Sequence, residues 1–176
     1  PYDIGRLKNV LTRVATNSKW SRRPHLPDGK GLGIACCRSF LGYTGHVVEV
    51  TVSPAGDFSV DDVWVSIDAG TIVSPDRVLA QVEGATIMGI SQALYGEMPM
   101  KKGRALHSNF DGFRVAKISD IPNSINIDID ESMADPGGVG ETGIGSFSPA
   151  LCNAIFSATG KRIRDLPIQN HDLAHG

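Results

Sequence analysis

The first half of the chain alternates hydrophobic and polar positions in a way that indicates β-structure. Residues 46–52 and 60–67 are rich in β-branched side chains, and residues 31–40 form an apolar alternating run. Such segments favour strands. The joining sequences LGYTG and SPAGDFS contain the glycine and proline residues typical of turns. We therefore expect three sequential strands in an antiparallel meander. Residues 124–129 place three isoleucines on alternate positions, which predicts a further strand.

Helical periodicity marks three other segments. Residues 7–15 carry apolar side chains three and four positions apart, which predicts an amphipathic helix, and residues 149–159 predict a last helix that ends at Gly160. The clearest helix spans residues 77–95 and follows a Ser-Pro-Asp sequence suited to capping. Its apolar side chains extend around most of the circumference, so we expect it to be largely buried against the three strands.

The order of these elements indicates an α+β fold. We expect an antiparallel or mixed sheet packed with one long buried helix and shorter helices. No linker, internal repeat or low-complexity tract divides the sequence, so residues 1–176 are expected to form a single domain. A chain of 176 residues with 41% hydrophobic content is long enough to bury one core.

The charge balance argues against a nucleic-acid or membrane partner. A net charge of −2, from 17 basic and 19 acidic residues, gives no strong field that would attract either one. Two basic clusters, at residues 19–23 and 161–164, are interpreted as solvated faces or helix ends. No apolar run reaches the roughly 18 residues of a membrane helix, so we expect a soluble protein without a transmembrane segment.

The sequence offers no metal site built from its own side chains. The cysteines Cys36, Cys37 and Cys152 cannot all pair, and the first two are adjacent in a predicted strand, where they point to opposite faces. We expect free, mostly buried thiols. The five histidines are scattered, and no Cys/His spacing typical of zinc or iron–sulfur sites is present. We therefore expect no metal bound through side chains of this chain.

The sequence GGVGETGIG, at residues 137–145, sets one carboxylate, Glu141, among five glycines. Two explanations for the glycines stay open, because they allow positive φ angles and also let a ligand touch the backbone. A loop directly before a helix offers N–H groups to an anion. The pattern matches neither a P-loop nor a dinucleotide fingerprint, and a flexible turn is the alternative. A carboxylate that a bound ligand desolvates becomes a stronger base, as general-base catalysis requires.

Four separated blocks of the sequence resemble one enzyme family. GGVGETG, followed by SPALCNAIFSATGKRIRDLPI, is similar to the C-terminal end of the molybdenum-binding large subunit of the xanthine dehydrogenase and aldehyde oxidoreductase family. The similarity is strongest to its isoquinoline 1-oxidoreductase and bacterial aldehyde dehydrogenase branch. Three further blocks, which occur in the expected order, are GLGIACCRSFLGYTGHVVEVTV, VSIDAGTIVSPDRVLAQVEGATIMGISQALYGE and HSNFDGFRVAK. The likeness covers residues 6–168.

This resemblance implies roles for five residues. Glu141 matches the catalytic base, which takes a proton from a hydroxyl group on molybdenum during the hydroxylation of an aldehyde or N-heterocycle. Gly138, Val139 and Gly140 match backbone positions beside the molybdopterin cofactor, and Gln81 matches an amide that contacts the pterin. The residues alone leave Gln81 open between that role and an ordinary helix glutamine. The implied cofactor is molybdopterin with molybdenum, in its cytosine dinucleotide form, with iron–sulfur clusters on a partner subunit.

The resemblance also implies that the chain works as part of something larger. Large subunits of the family are several times longer, so the expected partners are the remainder of the large subunit and an iron–sulfur small subunit. The chain alone should not turn over substrate. Two positions depart from the family pattern, Phe113 where Tyr is frequent and Thr142 where Pro often follows the glutamate.

A non-catalytic lobe that acts as a subunit-interaction module is the alternative interpretation. Such a module has no need of the glutamate, and the GVGE sequence around Glu141 is intact, which favours the catalytic interpretation. The bacterial cytoplasm and periplasm both stay open as compartments.

Overall fold

The computed structural model describes residues 2–175, which contain three α-helices, four short 3₁₀ helices and six strands. The helices are α1 (Ile4–Asn17), α2 (Pro75–Tyr95) and α3 (Phe147–Thr159), and the strands are β1 (Lys30–Ser39), β2 (Gly42–Val52), β3 (Phe58–Asp68), β4 (Met100–Lys101), β5 (Arg104–Ala105) and β6 (Ser124–Ile129). Each of the three predicted helices and four predicted strands named above is present, with ends that differ by a few residues.

Four strands form one mixed sheet in the order β1, β2, β3, β6. The first three pair antiparallel and confirm the predicted meander, whereas β6 pairs parallel with β3. A bulge in β3 leaves Asp61 out of the pairing with β2. Because the extra residue shifts the alternation, Val60 and Val63 both face the same core. The mixed sheet and its helices confirm the α+β class.

Helices cover both faces of the sheet. On one face, Val14 of α1 packs against Leu32 of β1 and Val47 of β2. On the other face, α3 lies directly over β1, where Gly33 presents no side chain. A Cβ added at Gly33 would stand 2.0 Å from the carbonyl oxygen of Ala150. Only glycine at this position allows the helix to come so close to the strand.

The structure corrects the neighbours expected for α2. One face of this helix is buried, but its other side, with Gln81, Glu83 and Met88, is exposed. The helix over β1 and β2 is α3, whereas α2 packs beside α3 and β6. The sequence pattern overstated the burial of α2 because apolar residues such as Met88 extend its apolar arc onto the uncovered side. The helix α2 comes close to α3 at Gly89, where an added Cβ would lie 2.9 Å from the Phe147 ring.

The main core joins elements from most of the chain. It contains buried residues of β2, β3, α2, α3 and the segment after α3: Val48, Val50, Val52, Val60, Val63, Val65, Ile67, Ala69, Val78, Val82, Ile90, Ala93, Leu94, Phe147, Ala150, Leu151, Ala154, Ile155, Ile163, Ile168 and Leu173. Burying one such aliphatic side chain contributes about 1.5–3 kcal/mol. The helices α2 and α3 are therefore held against the sheet by one shared apolar interior.

A buried ion pair attaches α1 to the end of β3. The guanidinium of Arg6 donates two hydrogen bonds to the Asp68 carboxylate, at 2.8 and 2.6 Å. The Gly70 N–H and the Ser132 hydroxyl donate to the same carboxylate. Burial alone would raise the pKa of Asp68, but these hydrogen bonds and the nearby positive charge lower it below its usual value.

The two basic clusters are engaged by neighbouring side chains. Arg22 pairs with the carboxylate of Glu49. Lys161 lies 3.6 Å from a carboxylate oxygen of Asp172, and the guanidinium of Arg162 stacks on Phe156 at 3.5 Å from its ring centroid. These contacts give Arg22, Lys161 and Arg162 structural partners within the chain.

Candidate functional site

Glu141 lies in the loop of residues 137–146, here called the glutamate loop, which leads directly into α3. Its side chain is exposed. Within the described chain, its carboxylate takes part in none of the seven ion pairs. The acid is therefore presented outward and is not used to hold the fold together.

The backbone carbonyl groups of the two residues that flank Glu141 are held by separate elements. The amide nitrogen of Gln81, on α2, donates a hydrogen bond to the carbonyl oxygen of Gly140 over 2.7 Å. The hydroxyl of Thr44, on β2, donates to the carbonyl oxygen of Thr142 over 2.8 Å. The structure thus brings together Gln81, Gly140 and Glu141, three of the residues that the sequence selects.

The loop glycines are explained by close approach and not by positive φ angles. None of the five has a positive φ angle, so that explanation is wrong. At four of them an added Cβ would meet the chain's own atoms: 3.0 Å from Gly42 at Gly137, 2.8 Å from Phe40 at Gly138, 3.0 Å from Ala85 at Gly143 and 3.0 Å from Cys37 at Gly145. Only Gly140 has open space at this position, with no atom within 4 Å. Four glycines therefore let the loop lie against its own protein.

The residues predicted to lie beside the cofactor fall into two groups. The side chain of Val139 packs against the main core, and Gly138 lies against Phe40. Gly140 and Glu141 are exposed, and within residues 2–175 their backbone N–H groups donate no hydrogen bond. Free N–H donors, an open approach at Gly140 and the neighbouring amide of Gln81 form a donor set that fits a polar, anionic cofactor.

A buried polar cluster lies beneath the loop. Thr44 and His46 of β2 and Ser146 at the start of α3 are all fully buried. Burial lowers the pKa of His46 from 6.5 to about 3. No functional role is predicted for these residues from the sequence, yet the sequence carries a signal for them. Thr44 and His46 occupy the same alternating face of β2 as Val48 and therefore place polar groups among core positions.

Grooves in the surface lie away from the glutamate loop. One of about 690 Å³ runs between α1 and β1 and is lined by Leu11, Trp20 and Ile34 among others. Another, of about 420 Å³, lies beside Phe110 and Phe113. No residue of the glutamate loop lines either of these two grooves.

The cysteines are free and half-buried, so they are less buried than expected. Burial raises the pKa of the Cys36 and Cys152 thiols. Among residues 2–175, no three His, Cys, Asp or Glu side chains gather in a way that could hold a metal ion. In the same part of the chain, no helix has the length and apolar content needed to cross a membrane.

Comparison with known proteins gives a consistent result. Residues 12–122 match the family described as the molybdopterin cofactor-binding domain, a range that includes Gln81 but ends before the glutamate loop. The beta subunit of isoquinoline 1-oxidoreductase from Brevundimonas diminuta is 34% identical over 162 residues, which are 91% of this chain and 21% of that protein. The aldehyde oxidoreductase molybdenum-binding subunit PaoC of Escherichia coli K12 is 36% identical over 134 residues, 72% of this chain and 18% of that protein.

A solved structure agrees with these relatives. The aldehyde oxidoreductase from Desulfovibrio desulfuricans ATCC 27774 superposes with a TM-score of 0.65 at 28% identity, covering 76% of this chain and 15% of that chain. The chain spans about a fifth of the length of the curated relatives that it matches first. Relatives of this size therefore contain several times more chain than the structure described here.

Proposed function

Because this chain belongs to the family of molybdopterin cofactor-binding domains, we propose that it forms part of a molybdenum hydroxylase in which Glu141 is the catalytic base. The observation that supports this most directly is the outward-facing Glu141 carboxylate, held between two anchored peptide groups. A group that must accept a proton from a reacting centre needs both an open approach and a fixed position. Glu141 has both.

The cofactor would supply the oxidative hydroxylation of an aldehyde or an N-heterocycle. The chain's own residues would bind the cofactor and orient the catalytic carboxylate. The N–H groups of Gly140 and Glu141 would donate to anionic atoms, and the amide of Gln81 would face the pterin while it holds the loop. The Glu141 carboxylate would accept one proton in the hydroxylation step and release it afterwards.

The proposal has three further parts. The cofactor is the cytosine dinucleotide form of molybdopterin, a small subunit carries iron–sulfur clusters, and the chain works together with the remainder of a large subunit. Two of the relatives are themselves subunits by name, the beta subunit of isoquinoline 1-oxidoreductase and the molybdenum-binding subunit PaoC of aldehyde oxidoreductase. We also infer that residues 1–176 act as one domain in the C-terminal part of the large subunit, an inference that the shared core of the sheet, α2 and α3 supports. Purified alone, the chain should contain no stoichiometric molybdenum.

The test uses the complete enzyme that contains this chain. Glu141→Gln keeps the size of the side chain but cannot accept the proton, so kcat should fall by about 10² to 10⁴ or more while the molybdenum content stays constant. Glu83→Gln, at an exposed glutamate of α2, is the matched control and should keep wild-type kcat. Wild-type turnover by Glu141→Gln at full molybdenum occupancy would contradict the assignment.

A second candidate, a subunit-interaction module without a catalytic role, is favoured by one observation. Large apolar side chains are exposed along residues 98–118, namely Met98, Met100, Leu106, Phe110, Phe113, Val115 and Ile118. An apolar surface of this kind is typical of a protein contact. Since a catalytic lobe also needs such contacts, the kcat of Glu141→Gln decides between the two candidates.

A further inference from the structure

Four side-chain and backbone groups form a continuous line from the interior of the sheet to the glutamate loop. The Nδ1 atom of His46 lies 2.8 Å from the Ser146 hydroxyl, which lies 3.2 Å from the Thr44 hydroxyl. The Thr44 hydroxyl lies 2.8 Å from the carbonyl oxygen of Thr142. The line therefore ends on the residue that follows Glu141.

Counting protons gives every bond in this line a direction. A carbonyl oxygen only accepts, so Thr44 must give its single hydroxyl proton to Thr142. Ser146 must then give its proton to Thr44, which leaves the Ser146 oxygen to accept from His46. This order requires a proton on Nδ1 of His46. Because the pKa of about 3 keeps the ring neutral near pH 7, Nε2 then carries no proton.

Two features show that this arrangement has a cost. The Nε2 atom of His46 is buried and has no hydrogen-bond partner within residues 2–175, and an unpaired buried polar atom is destabilising. Ser146 occupies the position before α3 where a serine hydroxyl usually caps the helix, yet it makes no capping bond. Both residues forgo a more stable local arrangement, and both bond instead within the line whose last member, Thr44, reaches Thr142.

The Thr142 side chain closes the loop on itself. Its hydroxyl donates to the carbonyl oxygen of Gly138 over 2.6 Å, so the first and last parts of the segment around Glu141 are joined. The hydrogen bond from Thr44 to the Thr142 carbonyl therefore holds the whole turn from Gly138 to Thr142.

We propose that His46 is a positioning residue that, through Ser146 and Thr44, fixes the carbonyl group of Thr142, one residue beyond Glu141, and so sets the direction of the Glu141 carboxylate. The catalytic consequence rests on the proposed role of Glu141, whereas the positioning of the loop does not. The two parts are tested by different measurements.

Hydrogen exchange of the complete, cofactor-free protein tests the positioning. Thr44→Val removes the hydroxyl at nearly constant volume, so amide exchange in peptides of the glutamate loop should rise about tenfold. Thr51→Val is the control, because Thr51 lies on the same strand and its hydroxyl bonds to Asp61, away from the loop. Peptides of β2 serve as an internal reference for global unfolding. Unchanged loop exchange in Thr44→Val would overturn the proposal.

Two substitutions of His46 test the donor role. Asn places an amide nitrogen near the position of Nδ1 and keeps the donor, so His46→Asn should retain wild-type loop exchange. His46→Leu removes the donor and should exchange as fast as Thr44→Val. Equal loop exchange in His46→Leu and wild type, or equally fast exchange in both substitutions, would contradict the proposed donor role. If His46→Leu fails to fold, Ser146→Ala interrupts the same line and answers the same question.

Kinetics of the loaded enzyme test the catalytic consequence. Thr44→Val should lower kcat about tenfold with KM and molybdenum content unchanged, and it should cause no further loss in a Glu141→Gln background. A fully active Glu141→Gln enzyme would refute the proposed function and leave the exchange result to decide the positioning. An inactive Glu141→Gln enzyme with unaltered kcat in Thr44→Val would refute only the inference made here.

Discussion

The amide nitrogen of Gln81 lies 2.7 Å from the carbonyl oxygen of Gly140, and this hydrogen bond joins α2 to the residue just before Glu141. The two residues are 59 positions apart in the chain. An exposed glutamine of a helix thus supports a distant loop. The contact connects a proposed cofactor-binding residue to a proposed catalytic residue.

Gln81→Leu should loosen the glutamate loop and weaken cofactor retention. A neutral hydrogen bond is worth about 0.5–1.5 kcal/mol, so the apparent cofactor affinity should fall about two- to tenfold. The molybdenum content of the purified complete enzyme, and its loss during dialysis, measure this effect. Gln92→Leu, at another exposed glutamine of α2, should retain the wild-type content.

Two glycine substitutions should change stability in opposite directions. Gly33→Ala forces a methyl group against the α3 backbone, 2.0 Å from the Ala150 oxygen, and should destabilise the chain by about 3 kcal/mol or more. Gly84→Ala adds a methyl group in open space on α2 and should stabilise it by about 0.5–1 kcal/mol. Chemical unfolding followed by circular dichroism gives both values. A stabilised Gly33→Ala protein would mean that α3 does not lie on β1.

Loss of the buried carboxylate at the end of β3 should be costly. Asp68→Ala leaves the Arg6 guanidinium without its partner and removes the acceptor of Gly70 and Ser132, so the free energy of unfolding should fall by about 2–4 kcal/mol. Asp172→Ala removes an exposed partner of Lys161 and should leave the unfolding midpoint unchanged. Equal unfolding midpoints for the two variants would show that the Arg6–Asp68 pair stabilises the fold no more than the exposed Lys161–Asp172 pair does.

Acid should destabilise the chain through His46. Its pKa is lowered to about 3 in the folded protein, while the ordinary value is 6.5. Between these values the unfolded chain binds a proton that the folded chain does not, so stability falls as the pH falls, by up to about 1.4 kcal/mol per pH unit. Unfolding measured at several pH values from 7 to 4 should show this slope, and His46→Asn should flatten it.

Carboxylates contribute in a different pH window, which keeps the His46 effect separable. The pKa values of Asp61, Asp68 and Asp128 are lowered from 3.8, so the stability that they provide is present above that value and is lost only as the pH falls through their folded values. If the free energy of unfolding of His46→Asn falls between pH 6 and pH 4 as steeply as that of the wild type, the acid sensitivity belongs to other groups.

Local sequence patterns predicted much of this fold. Alternation and helical spacing located the meander, α2 and α3, because side-chain periodicity follows directly from backbone geometry. The glycine-rich segment and the family resemblance selected Glu141, and the resemblance alone gave Gln81 a role. They did not predict which helix covers the sheet, since an apolar arc on α2 and one on α3 have the same appearance in the sequence.

The amino-acid sequence by itself determined the elements, the antiparallel meander and the glycine-rich segment around Glu141, since each depends on neighbours within a few positions. Only the tertiary structure decided why the glycines are there and what holds the acid. The close approach of Gly33 to Ala150, the bond from Gln81 to Gly140 and the line from His46 to Thr142 each join residues about 59 to 117 positions apart. Such contacts are set by how whole elements pack, and no local pattern of residues encodes them.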